Sequence, residues 1–211
     1  MSIIIQKIGP LEIETESFRI ISEELGKTDL DEKRFKIVQR VIHATGDFSF
    51  LENMRFSTDA ISSGIQAIQE GKNILTDVNM VAAGISKTLL GKWGGKVICN
   101  VANPKVADMA IARNKTRSEI AIELGLKQNI GIVAIGNAPT ALVQTISNLK
   151  ESSSQSDPLV IGVPVGFVNA AESKALLMEE NDCYITSLGR KGGSPVAAAI
   201  VNALIRLADK E

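Results

Sequence analysis

The stretch "GIVAIGNAPTALVQTISNLK", residues 131–150, decides the fold class of this 211-residue chain. It opens with "GIVAIG" (131–136), an almost continuous apolar run of the kind that forms a strand buried on both faces. Pro139 then opens a segment with helical spacing, because proline is well tolerated at the first position of a helix. A buried strand that leads directly into a helix is typical of a parallel sheet covered by helices.

The same alternation recurs on both sides of this stretch. Four further short apolar runs indicate buried strands, namely "NILTDV" (73–78), "KVICNV" (96–101), "LVIGVP" (159–164) and "CYITSL" (183–188). Pro104 and Ser194–Pro195 open helices between or after them. The sequence therefore predicts an α/β protein with a five-stranded parallel sheet between two layers of helices, a three-layer α/β/α architecture.

Three segments with helical spacing precede the first of these strands. They are 12–26, 29–46 and 57–71. The first ends at Gly26, the second begins at Asp29 or Asp31, and the third has Ser57 as its expected N-cap. The pentapeptide "NMRFS" (53–57) is assigned to no strand. We expect these helices to be extra N-terminal elements packed on the same core, so that residues 1–211 form one domain.

The composition excludes several classes of partner. With 23 Lys+Arg against 24 Asp+Glu, the chain has no general attraction to nucleic acid or to an anionic membrane. The first residues lack a signal-peptide pattern, and the longest apolar region is interrupted by Asn202 and Arg206, so we expect a cytoplasmic protein.

Cys99 and Cys183 are not spaced as metal ligands or as a disulfide framework, and we expect both to be buried reduced thiols.

Small, polar and cationic residues follow four of the predicted strands. The loops are "TDVNM" (76–80), "GNAPT" (136–140), "GVPVGF" (162–167) and "GRKGGS" (189–194). Any one of them has an ordinary explanation in turn chemistry, but together they favour a binding site at the carboxyl edge of the sheet. No loop has a phosphate-binding glycine pattern, so the sequence does not support a nucleotide ligand.

One helix begins with an arginine. Thr116 and Glu119 have the spacing of a capping box, which places Arg117 and Ser118 in the first helical turn. A helix N-terminus carries partial positive charge and prefers acidic neighbours, so an arginine there suits the binding of a carboxylate or phosphate. The alternative is a solvated surface arginine.

His43 is the only histidine of the chain. Phe35, Val38 and Ile42 form the apolar stripe of its helix, and His43 lies outside that stripe. It belongs to the last turn before Gly46, where the helix dipole favours a cation. From these residues alone, His43 is either a helix-end cation or a catalytic acid.

Six motifs together resemble those of the precorrin-8 or cobalt-precorrin-8 methylmutases of cobalamin biosynthesis, in this order and over nearly the whole chain. They are "RVIHATGDF" (40–48), "TDVNM", "TRS" (116–118), "GNAPTAL" (136–142), "GVPVGFVNAAESK" (162–174) and "GRKGGS". The resemblance implies a flavodoxin-like α/β/α fold and a homodimer. It also implies that a methyl group moves from ring carbon eleven to ring carbon twelve of a ring-contracted tetrapyrrole, giving hydrogenobyrinic or cobyrinic acid.

The resemblance also implies a set of site residues. His43 matches the catalytic histidine of the family, which would protonate the macrocycle and regain the proton. The expected contacts to substrate carboxylates are Ser17, Arg117, Ser118, Arg190 and Lys191. Arg19, two places after Ser17 on the same helix, should face away from it. The expected wall of the ring site is Thr76, Asp77, Asn79 and Met80, with Asn137 and Thr140 opposite.

Three further expectations concern cofactors and partners. A methyl shift within one macrocycle needs no redox cofactor or protein-bound metal, so any cobalt should arrive inside the substrate. The resemblance leaves open whether the substrate already holds cobalt, and it is compatible with hand-over of the product to neighbouring pathway enzymes. A non-catalytic tetrapyrrole carrier and a nucleotide-dependent enzyme on the same fold are the alternatives.

Overall fold

The structure is a computed structural model that describes residue 9 and residues 12–152, 157–181 and 183–210. The strands are β1 (Met54–Phe56), β2 (Asn73–Thr76), β3 (Val97–Ile98), β4 (Ile130–Ile135), β5 (Leu159–Gly162) and β6 (Tyr184–Ser187). The helices are α1 (Ile13–Leu25), α2 (Glu32–Thr45), α3 (Phe50–Asn53), α4 (Ala60–Gln69), α5 (Asn79–Gly84), α6 (Lys87–Gly91), α7 (Pro104–Ala112), α8 (Arg117–Gly125), α9 (Pro139–Glu151), α10 (Ala170–Glu180) and α11 (Ser194–Ala208).

The described strands form one sheet in the order β1-β6-β5-β4-β2-β3. The sheet is parallel except at β1, which runs antiparallel to β6 with Met54 opposite Ser187. The α/β class is confirmed. The prediction of a five-stranded, wholly parallel sheet is wrong, because the sheet has β1 as a sixth, antiparallel strand at its edge. β1 has three residues with an exposed arginine, Arg55, in the middle, and so short a segment has no apolar run to indicate it.

Helices cover both faces of the sheet. Successive residues of a strand point to opposite faces, and Ile132 accordingly packs in one hydrophobic cluster while Val133 packs in the other. The larger cluster contains residues of α2, α4 and α11, and the smaller one contains residues of α8, α9 and α10. The three-layer arrangement follows from this division of the core.

The C-terminal helix α11 belongs to the core. Ile200 and Leu204 are fully buried in the larger cluster. α11 approaches α4 closely at Gly64, where a Cβ atom would lie 2.8 Å from Leu159 and 3.1 Å from Leu204. α11 therefore packs against the body of the protein.

Local capping signals account for several helix ends. Asp31 accepts the N–H of Arg34 at the start of α2, and Gly46 ends that helix with φ of 64°. The Thr116–Glu119 capping box is present at α8. The N-cap prediction for Ser57 is wrong, because α4 begins later, at Ala60.

Both cysteines are free thiols, as expected, but they are half-buried rather than buried. Burial raises the pKa of the Cys183 thiol above its ordinary value. In the described part of the chain, no helix is long and apolar enough to cross a membrane.

Candidate active site

His43 stands on the exposed surface of the last turn of α2, outside the packed core as predicted. Its Nδ1 atom lies 2.7 Å from the Oγ atom of Ser17 on α1. The ring of Phe18 meets the imidazole edge-on, with 5.2 Å between the ring centroids. Ser17, expected to bind a substrate carboxylate, thus contacts the histidine directly.

Polar contacts fix α1 against α2 beside this pair. The amide nitrogen of Gln39 donates to the carbonyl oxygen of Phe18 at 3.0 Å and to the Ser22 hydroxyl at 2.7 Å. Arg40 pairs with Glu14 at 3.0 Å, and this hydrogen bond is the main reason why the pKa of Glu14 is lowered. The relative position of Ser17 and His43 is therefore set by several contacts between the helices.

Arg19 lies on the same helix and is engaged elsewhere. Its guanidinium pairs with Glu16 at 2.6 Å and also contacts Glu23. It takes no part in the contact between Ser17 and His43, which agrees with the expectation that Arg19 faces away from Ser17.

An open, mostly apolar groove runs beside the Ser17–His43 pair. Its volume of about 360 Å³ falls in the range of small-molecule sites. Ile13, Ile20 and Phe48 line it and are 54%, 41% and 37% exposed, which is unusual for large apolar side chains. The groove can therefore accept an apolar surface next to a proton donor or acceptor.

The loop after β6 reaches the segment that follows His43. The Nζ atom of Lys191 lies 2.7 Å from a carboxylate oxygen of Asp47 and 2.9 Å from the hydroxyl of Ser49. The hydrogen bond from Lys191 to Asp47 is the chief reason why the pKa of Asp47 is lowered to about 2. The guanidinium of Arg190 lies over the ring of Phe167, 5.3 Å from its centroid. Two candidate carboxylate-binding cations thus share a loop that is bonded to the segment just after the histidine helix.

Asp77, predicted to line the ring site after β2, lies beneath the surface and supports a neighbouring loop. The residue is fully buried, and its carboxylate accepts the backbone N–H groups of Gly136, Asn137 and Ala138 at 3.1, 2.8 and 2.8 Å. Burial raises its pKa, while the three N–H donors act in the opposite direction. Thr76 is also fully buried. In the chain as described, these two side chains support the loops and do not form their surface.

The other predicted wall residues are exposed. Asn79 and Met80 begin α5, and Met80 is 70% exposed. Asn137 and Thr140 are exposed around the start of α9, where the Thr140 hydroxyl lies 3.2 Å from that of Thr116.

This contact brings the N-terminus of α8 next to that of α9. Arg117 is the exposed first residue of α8, and Ser118 follows it, half-buried. Arg117 and Ser118 thus begin a helix whose N-cap, Thr116, contacts Thr140.

Sequence reasoning missed Asp47, Ser49 and the buried Lys174, which donates to the carbonyl oxygen of Lys191. Asp47 lies in the motif "RVIHATGDF", four residues after His43, and this closeness to the histidine was the sequence feature that could have indicated it. Within the described residues, no three His, Cys, Asp or Glu side chains are grouped as a metal site.

The fold and site define a class of protein: an α/β protein with one exposed histidine beside an apolar groove and several cations on loops at the sheet edge. Such an arrangement suits acid–base chemistry on an apolar molecule with anionic arms. The family model for precorrin-8X methylmutase matches residues 12–207. The chain belongs to this family.

Individual relatives agree with this assignment. The cobalt-precorrin-8 methylmutase of Priestia megaterium is 44% identical over 96% of this chain and 90% of its own length. The precorrin-8X methylmutase of Pseudomonas aeruginosa is 38% identical over 90% of this chain and 91% of its own length. The crystal structure of precorrin-8X methylmutase from Thermus thermophilus superposes with a TM-score of 0.85 at 40% identity, covering 95% of this chain and 97% of that one. The protein is thus an isomerase that moves a methyl group within one molecule in cobalamin biosynthesis.

Proposed function

We propose that this chain moves a methyl group from ring carbon eleven to ring carbon twelve of precorrin-8 or cobalt-precorrin-8, with His43 as the acid and base. The products would be hydrogenobyrinic and cobyrinic acid, respectively. The observation that carries the role of His43 is its 2.7 Å contact with Ser17 at the wall of an apolar groove. One edge of the substrate macrocycle would lie against this groove, with the site contained in a single domain.

Ser17 suits a histidine that cycles between two protonation states. If Nε2 exchanges a proton with the macrocycle, Nδ1 keeps its hydrogen throughout, so Nδ1–H donates to the Ser17 hydroxyl in both protonation states and the contact persists. Protonation of the ring would favour the tautomer from which the methyl group migrates, and His43 would then recover the proton.

The cations at the edge of the sheet would bind the carboxylate arms of the substrate. We assign this role to Arg190 and Lys191 on the loop after β6, and to Arg117 with Ser118 at the start of α8. Exposed arginines at a helix N-terminus and beside an aromatic ring are well suited to carboxylates. The exposed wall residues Asn79, Met80, Asn137 and Thr140 would contact the ring or its arms.

The cobalt ion, where present, would arrive inside the macrocycle. Sequence identity does not separate the two substrates, because relatives named for cobalt-precorrin-8 and for precorrin-8X both occur at 38% identity.

The decisive experiment is single-turnover absorbance after mixing the purified protein with precorrin-8 and, separately, with cobalt-precorrin-8. We expect conversion of at least one of the two substrates to its corrin product. His43→Ala should slow it by at least about 100-fold while still binding the substrate, since a lost general acid costs this much or more. Lys27→Ala, which removes an exposed cation just beyond α1, is the control and should convert normally.

The outcomes separate the alternatives. Binding without conversion by the unchanged protein would favour a tetrapyrrole carrier, and equal conversion by His43→Ala would remove the acid–base role. A dependence of conversion on added nucleotide would favour a nucleotide-dependent enzyme.

We also propose that the protein works in the cytoplasm as a homodimer and passes its product to neighbouring pathway enzymes. Support for association comes from the loop after β5, where Phe167 and Val168 are 85% and 77% exposed, because adjacent apolar side chains this exposed mark interaction surfaces. Sedimentation of the unchanged protein and of Phe167→Glu tests it: a dimer that the substitution converts to a monomer is expected, and a monomer in both would refute it.

A further inference from the structure

Lys174 on α10 is a lysine in the interior of the protein. The residue is 1% exposed and is among the largest fully buried side chains. Burying an ammonium group costs free energy unless other groups compensate it, and an apolar side chain would fill this space without that cost. Desolvation lowers the pKa of Lys174 to about 8, and no carboxylate of the described residues pairs with it.

The ammonium group is directed at one carbonyl oxygen. Its Nζ atom lies 2.7 Å from the carbonyl oxygen of Lys191 and 3.4 Å from the hydroxyl of Ser187. The Ser187 hydroxyl donates to the same carbonyl oxygen at 3.0 Å. The side chains of Lys174 and Ser187 thus both bind the carbonyl oxygen of residue 191.

The clamped loop, residues 189–193, contains three glycines and needs such anchoring. Gly193 has φ of 121°, a conformation that other residues rarely adopt, and its N–H donates to the carbonyl oxygen of Val163 at 2.8 Å. A Cβ atom on Gly192 would lie 2.2 Å from that same oxygen. Glycines permit this close approach but leave the loop conformationally free, so contacts from outside must select one conformation.

The outer side of the loop carries Arg190 and Lys191. We propose that Lys174 is a positioning residue that holds this loop, through the carbonyl group of Lys191, so that both cations face the carboxylate arms of the substrate. The inference rests on the proposed function, which assigns those arms to Arg190 and Lys191. The same anchoring acts on the segment just after the histidine helix, because the side chain of Lys191 reaches Asp47.

Kinetics of Lys174→Met and Lys174→Arg test the role in binding. Methionine keeps much of the volume but donates no hydrogen bond to the loop. We expect KM to rise about tenfold, because substrate binding must then also order the loop, at a cost comparable to one charge-assisted hydrogen bond. The value of kcat should stay within about twofold, because the acid–base pair is untouched. Lys174→Arg, which retains a charged donor, should recover part of the loss in KM. An unchanged KM in folded Lys174→Met would overturn the proposal.

Native-state proteolysis gives a readout that needs no substrate. Trypsin can cut the exposed loop after Arg190 or Lys191. We expect Lys174→Met to be cut there about tenfold faster, since loss of one charged hydrogen bond frees the loop by roughly that factor. Cleavage after Arg113, an exposed residue on another loop, should keep its rate and serves as the internal control. Equal loop cleavage in both proteins would overturn the inference.

The two readouts keep the inferences apart. If the unchanged protein does not turn over either substrate, the proposed function fails and proteolysis alone decides whether Lys174 holds the loop. If Lys174→Met does not fold, Lys174→Gln replaces it, because its shorter amide stays polar but does not reach the carbonyl group of Lys191. Faster loop cleavage in Lys174→Gln would support the proposal, and an unchanged rate would overturn it.

Discussion

Replacing Asp77 should destabilise the whole fold through the loop that follows β4. In Asp77→Ala, the backbone N–H groups of Gly136, Asn137 and Ala138 lose the carboxylate that accepts them. The hydrogen bond to Gly136 is fully buried, whereas the other two are only partly buried, so water can replace the acceptor there. An unsatisfied buried donor costs about 1–3 kcal/mol.

These terms together predict a loss of about 2–4 kcal/mol in the free energy of unfolding. The value is below the sum for three bonds to a charged group, because burying the carboxylate is itself unfavourable, as the raised pKa of Asp77 indicates. Asp77→Asn should cost about 1–3 kcal/mol, since its amide oxygen still accepts while its NH₂ group faces further donors.

Urea unfolding followed by circular dichroism measures both variants. Asp108→Asn is the matched control, because Asp108 is an exposed carboxylate on α7, and its effect should stay within about 0.5 kcal/mol. A loss below about 1 kcal/mol for Asp77→Ala would refute the reasoning, since it would mean that the desolvation cost cancels all three hydrogen bonds.

Further predictions concern the histidine pair and the cationic residues. Ser17→Ala should lower kcat by about tenfold to a hundredfold with little change in KM, because a misaligned His43 transfers its proton poorly; single-turnover absorbance measures it, and an unchanged kcat would show that Ser17 is not needed for alignment. Because the pKa of folded Asp47 is about 2, below its ordinary 3.8, its contact with Lys191 contributes stability above about pH 4 that is lost as the pH falls through about 2. Carboxyl NMR titration should show this value and its rise toward 3.8 in Lys191→Met. Arg117→Met should raise KM about tenfold without changing the fold, and an unchanged KM would remove Arg117 from the carboxylate site.

The elements that sequence reasoning predicted well have local causes. The helices that begin at Pro104 and Pro139, and the capping box at Thr116, are specified by residues within one or two turns. β1 has no such cause. Its three residues become a strand only by pairing with β6, more than a hundred residues later, and such pairing leaves little trace in so short a segment.

The exposure of His43 was predictable from the sequence, but its arrangement with the other candidate residues was not. The exposure of His43 follows from its place outside the apolar stripe of α2. Its contact with Ser17 depends on how α1 is rotated against α2, and contacts such as that of Gln39 with Phe18 set this rotation. Lys174 escaped notice because lysine is ordinarily solvated, so a sequence pattern gives no reason to place it in the interior.

With His43 as the proposed acid and base, the arrangement explains how one exposed histidine can serve this reaction. A methyl shift within a single molecule brings no second reactant, so under this proposal the rate depends on the position of the proton donor relative to the ring. His43 is held on the α1–α2 pair, whereas Arg190 and Lys191 come from a loop of the sheet. The contact between Lys191 and Asp47 joins these two parts. Under this proposal, cations of the loop that bind the carboxylate arms hold the macrocycle on the protein and so set KM, whereas the alignment of His43 by Ser17 sets the rate of proton transfer.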